Sequence, residues 1–478
     1  MRAADTGRAL GERAVKALPG ALRAVGPGPE KRLRTSIGTM SALPSGMHQE
    51  AHENVSQPIW KLGAPNGRPT RREHELTSSD FVTDVCVVGG GIAGLTTAFL
   101  CVRSGLRVVL IEAGTVGSGE TLRTSAHLAS ALDDRFHRLE AHHGAEKTAL
   151  LRQSHAAAID WIEEFCATHA PTAAFRRVQG YLFASAADEE PEAFLEKECA
   201  AAVRAGLDAS LVRVPHFGAG ALENAIRFEA QSEFDAGAYL TALTSAYLEQ
   251  GGVLWEETRV LGVEEDELCR VVLEGGGIVR ARDVVITTNV PITSQVSLPL
   301  RQAAYRSYMV ALDIPRDAVL PGLHWDTEHP YHYVRTLGSG DASRDVLLVG
   351  GEDHRTGQDQ DPETRLRRLE AWARERFPFA SGCTHRWSGQ IMEPFDGVGF
   401  VGKSPGHERI HVLTGDSGNG LTLATLGAKI LRDQLVGLEN PWSAVYDPSR
   451  PITSGFSTFV GENAASVSTY LDYAKPSE

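Results

Sequence analysis

One stretch of about 30 residues, DVCVVGGGIAGLTTAFLCVRSGLRVVLIEAG, constrains this chain more than any other. The apolar run Val85–Val88 reads as a strand and is followed by a glycine turn. Ala93–Arg103 reads as a helix that Ser104-Gly105 stops, and Val108–Ile111 reads as a second strand. Gly89, Gly91 and Gly94 fill G-x-G-x-x-G directly after the first strand. In that pattern the first glycine makes the tight turn, the second lets backbone approach a pyrophosphate, and the third lets helix and strand pack closely. The helix start at Ile92 and Ala93 would turn free N–H groups and a partial positive charge toward phosphate. Glu112 ends the second strand, 23 residues beyond Gly89, where a carboxylate can accept from a ribose diol and would repel a 2′-phosphate. A dinucleotide site on these residues is the first expectation.

A second glycine constellation lies near the other end of the chain. TGDSGNGLTLATLGAKIL places Gly415, Gly418, Asn419, Gly420 and Leu421 where a strand, IHVLT, runs into a helix. The amides of such a helix start would face an electron-rich group, as the pyrimidine edge of a flavin is, and would stabilise negative charge developing there. If both turns serve one ligand, that ligand is FAD rather than NAD.

Composition fits an enzyme of this kind and excludes several others. The chain has 478 residues, 42% hydrophobic and 23% charged, with a net charge of -14, which disfavours a nucleic-acid binder. The charge is uneven: residues 1–72 sum to +7 and the rest to -21. Six cysteines contain no C-x-x-C pair, so no metal framework is expected. The apolar stretch 85–102 is interrupted by glycines and reads as strand–turn–helix, so no membrane span is expected.

Along the chain, residues 1–80 read as an extension, either disordered or a targeting segment, rich in Arg, Gly and Pro. A cytoplasmic location is expected, or an organelle if the basic segment is a transit peptide. Residues 137–170, 190–206 and 361–377 read as helices, and 251–290, 303–314, 330–337 and 345–354 as strands. The fold class expected is α/β, a Rossmann-like domain with an interleaved α+β substrate domain built on an antiparallel sheet. The first would comprise 81–170, 225–300 and 385–450, the second 171–224 and 301–384, with 451–478 a tail.

VVGGGIAGLTTAFL, LIEAG, GSGETLRTSAHL, VVITTNVPI, LLVGGEDHRTG, EPFDGVGFVG and TGDSGNGLTLATLG together resemble the FAD-dependent D-amino-acid oxidase/glycine oxidase superfamily. WDTEHPYHYVR and RWSGQIMEPFDGVGFVGKSP resemble the branch related to gamma-glutamylputrescine oxidase and the Rieske-fused FAD oxidoreductases. A Rieske centre needs two Cys/His pairs; Cys383 and His385 offer one, and no cysteine follows them, so no iron–sulfur cluster is expected.

The resemblance implies oxidation of a C–N bond by hydride transfer to flavin N5, with the imine then hydrolysed and oxygen or a separate acceptor taking the electrons. It implies non-covalent FAD, flavin contacts from Thr124, Ser125, Ala126 and His127, and an adenine contact from Val260. With period two, Tyr331, Tyr333 and Arg335 share a strand face. The resemblance makes Arg335 a clamp for a substrate carboxylate, with Tyr333 and Tyr308 as substrate contacts. The substrate would be a small amine or amino acid. A dehydrogenase of a 2-hydroxy acid or polyol phosphate, and an FAD-stabilised scaffold without turnover, are the alternatives.

Overall fold

The computed structural model describes residues 57–65, 81–185, 187–292, 298, 301–357 and 361–451. Most of the expected extension at 1–80 and the tail from 452 lie outside the described residues. The chain begins with β1 (Phe81–Val88), α1 (Ile92–Arg103), β2 (Val108–Ile111), β3 (His127–Leu128), α2 (Phe136–His143) and α3 (Ala145–His169). It continues through β4 (Arg176–Phe183), α4 (Pro191–Arg204), β5 (Ala209–Pro215), β6 (Leu222–Glu233) and α5 (Ala236–Glu249). Then come β7 (Val253–Trp255), β8 (Val260–Glu264), β9 (Cys269–Leu273), β10 (Ile278–Ile286), β11 (Gln302–Pro315) and β12 (Leu323–Trp325). The last elements are β13 (His332–Gly338), β14 (Arg344–Arg355), α6 (Pro362–Arg376), β15 (Cys383–Pro394), β16 (Phe400–Lys403), β17 (Ile410–Thr414), α7 (Gly420–Val436) and α8 (Ser443–Tyr446).

Two sheets organise these elements. The first has the order β16-β17-β10-β1-β2-β7, with β17, β10, β1, β2 and β7 all parallel. Alternation along β1 explains why it is covered on both faces. Val85 and Val87 join the helix-side core of α1, α3, α5 and α7, while Cys86 and Val88 join a second core closed by β8 and β9. The second sheet has the order β15-β11-β14-β13-β12-β4-β6-β3, antiparallel throughout except where β12 meets β4, and β5 flanks β6. The α/β class with an antiparallel substrate-type sheet is therefore as expected. The boundaries expected at 225 and 385 fall inside β6 and β15, two strands of the second sheet.

Two departures have simple causes. Residues 57–65 pack on the body rather than trailing from it. Trp60 is 4% exposed, its indole N–H donates to Thr124 O at 2.7 Å, and the Lys61 backbone sits against Gly237. Helix α5 follows an N-cap at Asp235, whose carboxylate accepts the Ala238 amide at 2.9 Å.

Candidate functional site: a cleft at the edge of the parallel sheet

Three parallel strands end side by side, in register at Val88, Ile286 and Val412, so the turns that follow them share one sheet edge. The turn after β1 carries Gly89 at φ +111, where a side chain would be strained. Gly94 sits so close beneath it that a Cβ would lie 1.9 Å from the Gly89 carbonyl oxygen. Glu112, at the end of β2, accepts the amides of Gly90 at 2.6 Å and Gly114 at 2.8 Å. Thr121 Oγ1 accepts the Ile92 amide at 3.0 Å, bringing the loop after β2 onto the start of α1, next to Ala93. The turn after β10 links the two glycine turns. Thr287 Oγ1 donates to Val88 O at 2.9 Å, and Thr414 Oγ1 donates to Asn289 O at 2.5 Å.

The turn after β17 runs Gly415–Gly420 into α7, with Asn419 as N-cap residue and Leu421 buried in the core. Gly418 has φ +78, and a Cβ there would meet Asp133 Oδ2 at 2.1 Å. The Asp133 amide donates to Asn419 Oδ1 at 3.2 Å, and Ser417 Oγ donates to Asp134 Oδ2 at 2.7 Å. The second sheet closes on the same turn through β15: the Ser417 amide donates to Met392 O at 2.9 Å, and the Met392 amide to Asp416 Oδ1 at 2.7 Å. A small cavity behind the turn is lined by Leu132, Asp134, Asp416, Ser417, Asn419 and Leu423, among others.

The loop from 120 to 127 forms the other wall. Glu120 accepts the Gln390 amide at 2.8 Å, and Trp387, fully buried, donates its indole N–H to Arg123 O at 2.9 Å. Thr124 Oγ1 accepts the Ala126 amide at 3.0 Å, and Ser125 Oγ meets His127 Nδ1 at 2.9 Å. Ala126 stands at φ +59. His127 packs edge-on to Tyr333 with ring centroids 5.7 Å apart, and burial, then the Arg335 charge, push its pKa down to about 3. Both effects favour its neutral imidazole form.

The expected substrate residues separate. Tyr333 faces the cleft: its hydroxyl lies 2.8 Å from Ser307 Oγ and its ring 5.5 Å from that of Tyr331. Burial raises the pKa of both phenols, so both stay protonated. Arg335 shares the face, as period two requires, but its guanidinium turns into the protein. Nε lies 3.1 Å from Glu233 Oε2, and Nη1 donates to Ala126 O at 2.8 Å, Phe234 O at 3.3 Å and Ser125 O at 3.4 Å. Both side chains are 2% exposed, and Trp60 lies over the guanidinium at 5.8 Å. This geometry makes Arg335 a tie between loop and sheet and does not support the carboxylate clamp. Tyr308 is buried on the opposite face, in the core beneath α6 and stacked on His354, because β11 alternates regularly: Tyr308, Val310 and Leu312 share that core, and Met309 and Ala311 point the other way. Ser307 takes the place beside Tyr333 instead. Val260 begins β8 just beyond Thr258, whose amide donates to Glu112 O at 2.9 Å.

The sequence did not reveal the acidic lining. Asp133, Asp134, Asp353, Glu393 and Asp416 are each half-buried and act on one another. Burial first, and neighbouring carboxylates after it, push Asp134, Asp353 and Asp416 up to about 7 and Glu393 up to about 8. The signal available was an acid inside each otherwise apolar or glycine-rich motif, in ALDDRF, GGEDH, MEPFD and TGDSG. Elsewhere among the described residues, Asp326, Glu328 and His332 gather within 4.8 Å of one another. Internal contacts account for that group: Asp326 Oδ1 accepts two backbone amides, His332 stacks on Trp372 at 4.0 Å, and Arg376 lies 3.5 Å from Glu328.

A family model described as FAD dependent oxidoreductase (DAO) matches residues 84–434. The chain belongs to that family. The Bacillus subtilis protein YhfW, whose name describes a Rieske 2Fe-2S iron–sulfur protein, is 28% identical over 389 residues, covering 80% of this chain and 75% of that one. Gamma-glutamylputrescine oxidoreductase of Escherichia coli is 23% identical over 76% of this chain and 86% of that one. The crystal structure of glycine oxidase from Geobacillus kaustophilus superposes with a TM-score of 0.66 at 21% identity, covering 78% of this chain and 99% of that one. No helix among the described residues is long and apolar enough to cross a membrane.

Membership of the FAD-dependent oxidoreductases implies FAD, and the residues present fit it. The Gly89–Gly94 cradle has no room for side chains at Gly89 and Gly94, and Glu112 stands at its rim. The second glycine turn opens on the same edge.

Proposed function

We propose that this FAD-dependent oxidoreductase oxidises a C–N bond of an amine or amino acid, giving an imine that water hydrolyses. Gly89, Gly91, Ile92, Ala93, Gly94 and Glu112 would hold the diphosphate and ribose, and Val260 would lie along the adenine. Thr124, Ser125, Ala126 and His127 would flank the ring system, with Gly418, Asn419, Gly420 and Leu421 at its pyrimidine edge. The flavin supplies the hydride acceptor, and oxygen or another acceptor removes the electrons.

The observation that carries this reading is the meeting of two glycine turns, 89–94 and 415–420, at one sheet edge, with Asp133 packed on Gly418 and in electrostatic reach of the Tyr331 phenol. The chain's own work is binding and orientation. Tyr333 and Ser307 form a hydroxyl pair able to orient an amine, and the aromatic wall excludes water. His127, held neutral, adds no positive charge that would oppose removal of hydride from a carbon becoming cationic. Asp353, raised to about 7, could take in its ionised form the proton that an ammonium must lose before it is oxidised.

The test is anaerobic mixing of the flavin-loaded protein with amines, amino acids and 2-hydroxy acids. Bleaching of the visible flavin absorbance by an amine supports the proposal. Bleaching by hydroxy acids alone, or by no compound of the panel, refutes it.

A further inference from the structure

The segment 57–65 precedes the residues that the family model matches, 84–434, yet it is built into the body beside the 120–127 loop. It lies across the start of α5. A Cβ on Gly237 would meet the Lys61 carbonyl oxygen at 2.4 Å, and the Gly63 amide donates to Thr241 Oγ1 at 2.9 Å. These backbone contacts fix where Trp60 enters. Its ring is 4% exposed and joins the core shared by α1, α3, α5 and α7, while its indole N–H donates to Thr124 O at 2.7 Å.

Thr124 is the first of three consecutive residues whose carbonyl groups are held by donors from elsewhere in the chain. Arg335 Nη1 takes the other two, Ala126 O at 2.8 Å and, more weakly, Ser125 O at 3.4 Å. The two donor residues support each other, since the Arg335 guanidinium lies 5.8 Å from the centre of the Trp60 ring. The backbone they hold is not one the chain adopts freely. Ala126 stands at φ +59, in the left-handed region, and such a conformation persists only where its surroundings over-determine it. Those surroundings are the Trp60 and Arg335 donors and the pairing of His127 with Glu233 between β3 and β6.

We propose that Trp60 is a positioning residue for the flavin, and that the segment 57–65 is a strap that governs how firmly FAD is retained. Trp60 acts through the backbone of residues 124–126, which it and Arg335 hold from within the protein. The inference rests on the placement of residues 124–127 beside the flavin ring system, but not on which compound is oxidised. A loop already set in shape loses little backbone freedom when a ligand docks, so cutting the tie moves that entropy cost into the binding step. The effect therefore appears in FAD affinity as well as in folding stability, which the loss of an ordinary core side chain would not produce.

The experiment uses the full chain. Release of FAD from the diluted flavin-loaded protein is followed by its fluorescence, the dissociation constant comes from titrating FAD back, and Tm is measured for each variant. Trp60→Phe keeps a ring in the core and loses the bond to Thr124 O; it should bind FAD about fivefold more weakly, the equivalent of one hydrogen bond. Trp60→Ala should weaken FAD about tenfold or more, and if it does not fold, Trp60→Phe decides alone. Phe377, 1% exposed in the separate core beneath α6, is the control: Phe377→Ala should lower Tm while its FAD affinity stays within about twofold of the parent. Parent-like FAD affinity in Trp60→Phe overturns the inference, whatever the fall in Tm. So does an equal loss of FAD affinity in Phe377→Ala, because the effect would then be one of general stability. Bleaching of the parent by an amine, with FAD affinity unmoved in the Trp60 variants, refutes the strap and leaves the C–N reading intact. Weakened FAD in the Trp60 variants alone, with no amine bleaching the parent, upholds the strap and refutes the C–N reading.

Discussion

Replacing Arg335 by Ala separates a structural tie from a substrate clamp. Arg335 and Glu233 are both 2% exposed and lie 3.1 Å apart, and the half-exposed Arg176 also pairs with Glu233, so truncating Arg335 leaves that carboxylate with one cation instead of two. Breaking such a pair costs about 3–5 kcal/mol. The value should lie toward the lower end, because Arg176 still pairs with Glu233, although the carbonyl oxygens of Ser125, Ala126 and Phe234 lose their donor. Pairing Arg335→Met with Glu233→Gln removes both charges and should recover more than about 1 kcal/mol relative to the summed single costs, the coupling expected of residues in contact. Urea unfolding of the flavin-loaded protein at pH 7 gives these values. In the same variants, kcat/KM for carboxylate-bearing and for uncharged amines should fall in parallel, since the residue acts through the 124–127 loop. If Arg335→Ala costs under about 1 kcal/mol and lowers kcat/KM for carboxylate substrates about 100-fold more than for uncharged ones, the tie is refuted and a clamp restored; that ratio corresponds to about 2.7 kcal/mol of selective transition-state binding.

Gly94→Val should yield folded protein without flavin absorbance, because a Cβ would lie 1.9 Å from Gly89 O; a yellow variant would show that the cradle is not used. Trp60→Ala should cost roughly 3–5 kcal/mol in urea unfolding, whereas Trp60→Phe should lose only about 1 kcal/mol with the bond to Thr124 O. The pH dependence of stability should carry two opposed contributions in the amine-free protein. Glu393 is raised from its ordinary 4.5 to about 8, so the folded state holds the extra proton. Its contribution is full below about pH 4.5 and is lost as pH rises toward 8. His155, buried against Thr422 Oγ1 at 2.7 Å and pushed down to about 3, contributes above its ordinary 6.5 and loses that as pH falls. Thermal unfolding of Glu393→Gln should therefore show a smaller loss of Tm between pH 5 and pH 8 than the parent; an unchanged slope would mean that Glu393 is not protonated in the fold.

The residues readable from sequence are those whose neighbours in space are also neighbours in the chain. The first βαβ unit, its three glycines and Glu112 were legible because the turn geometry that demands them closes within 31 residues. Likewise α6 was legible from Asp361, which caps it. Asp235 carries the same kind of signal, an acid opening α5, but sits in DAGAYL, where Ala and Gly dilute the periodicity. Alternation put Tyr333 and Arg335 on one face correctly, yet it says nothing about what stands opposite. Glu233 ends β6, 102 residues before Arg335, and it consumes the charge that a clamp would need. Alternation along β11 also places Ser307, not Tyr308, on the side that reaches Tyr333, since neighbouring residues of a strand point to opposite faces.

The acidic cleft was the least legible feature. Each acid alone would pass for a turn residue or a cap, and its meaning comes only from the other four. Their convergence depends on one topological fact: β10 lies between β1 and β17 and carries both glycine turns to the same edge. The β15 strand then docks on the second turn through Met392 and brings Glu393 with it. The five acids span 284 residues of sequence, from Asp133 to Asp416, and burial holds Asp134, Asp353, Glu393 and Asp416 toward their protonated forms.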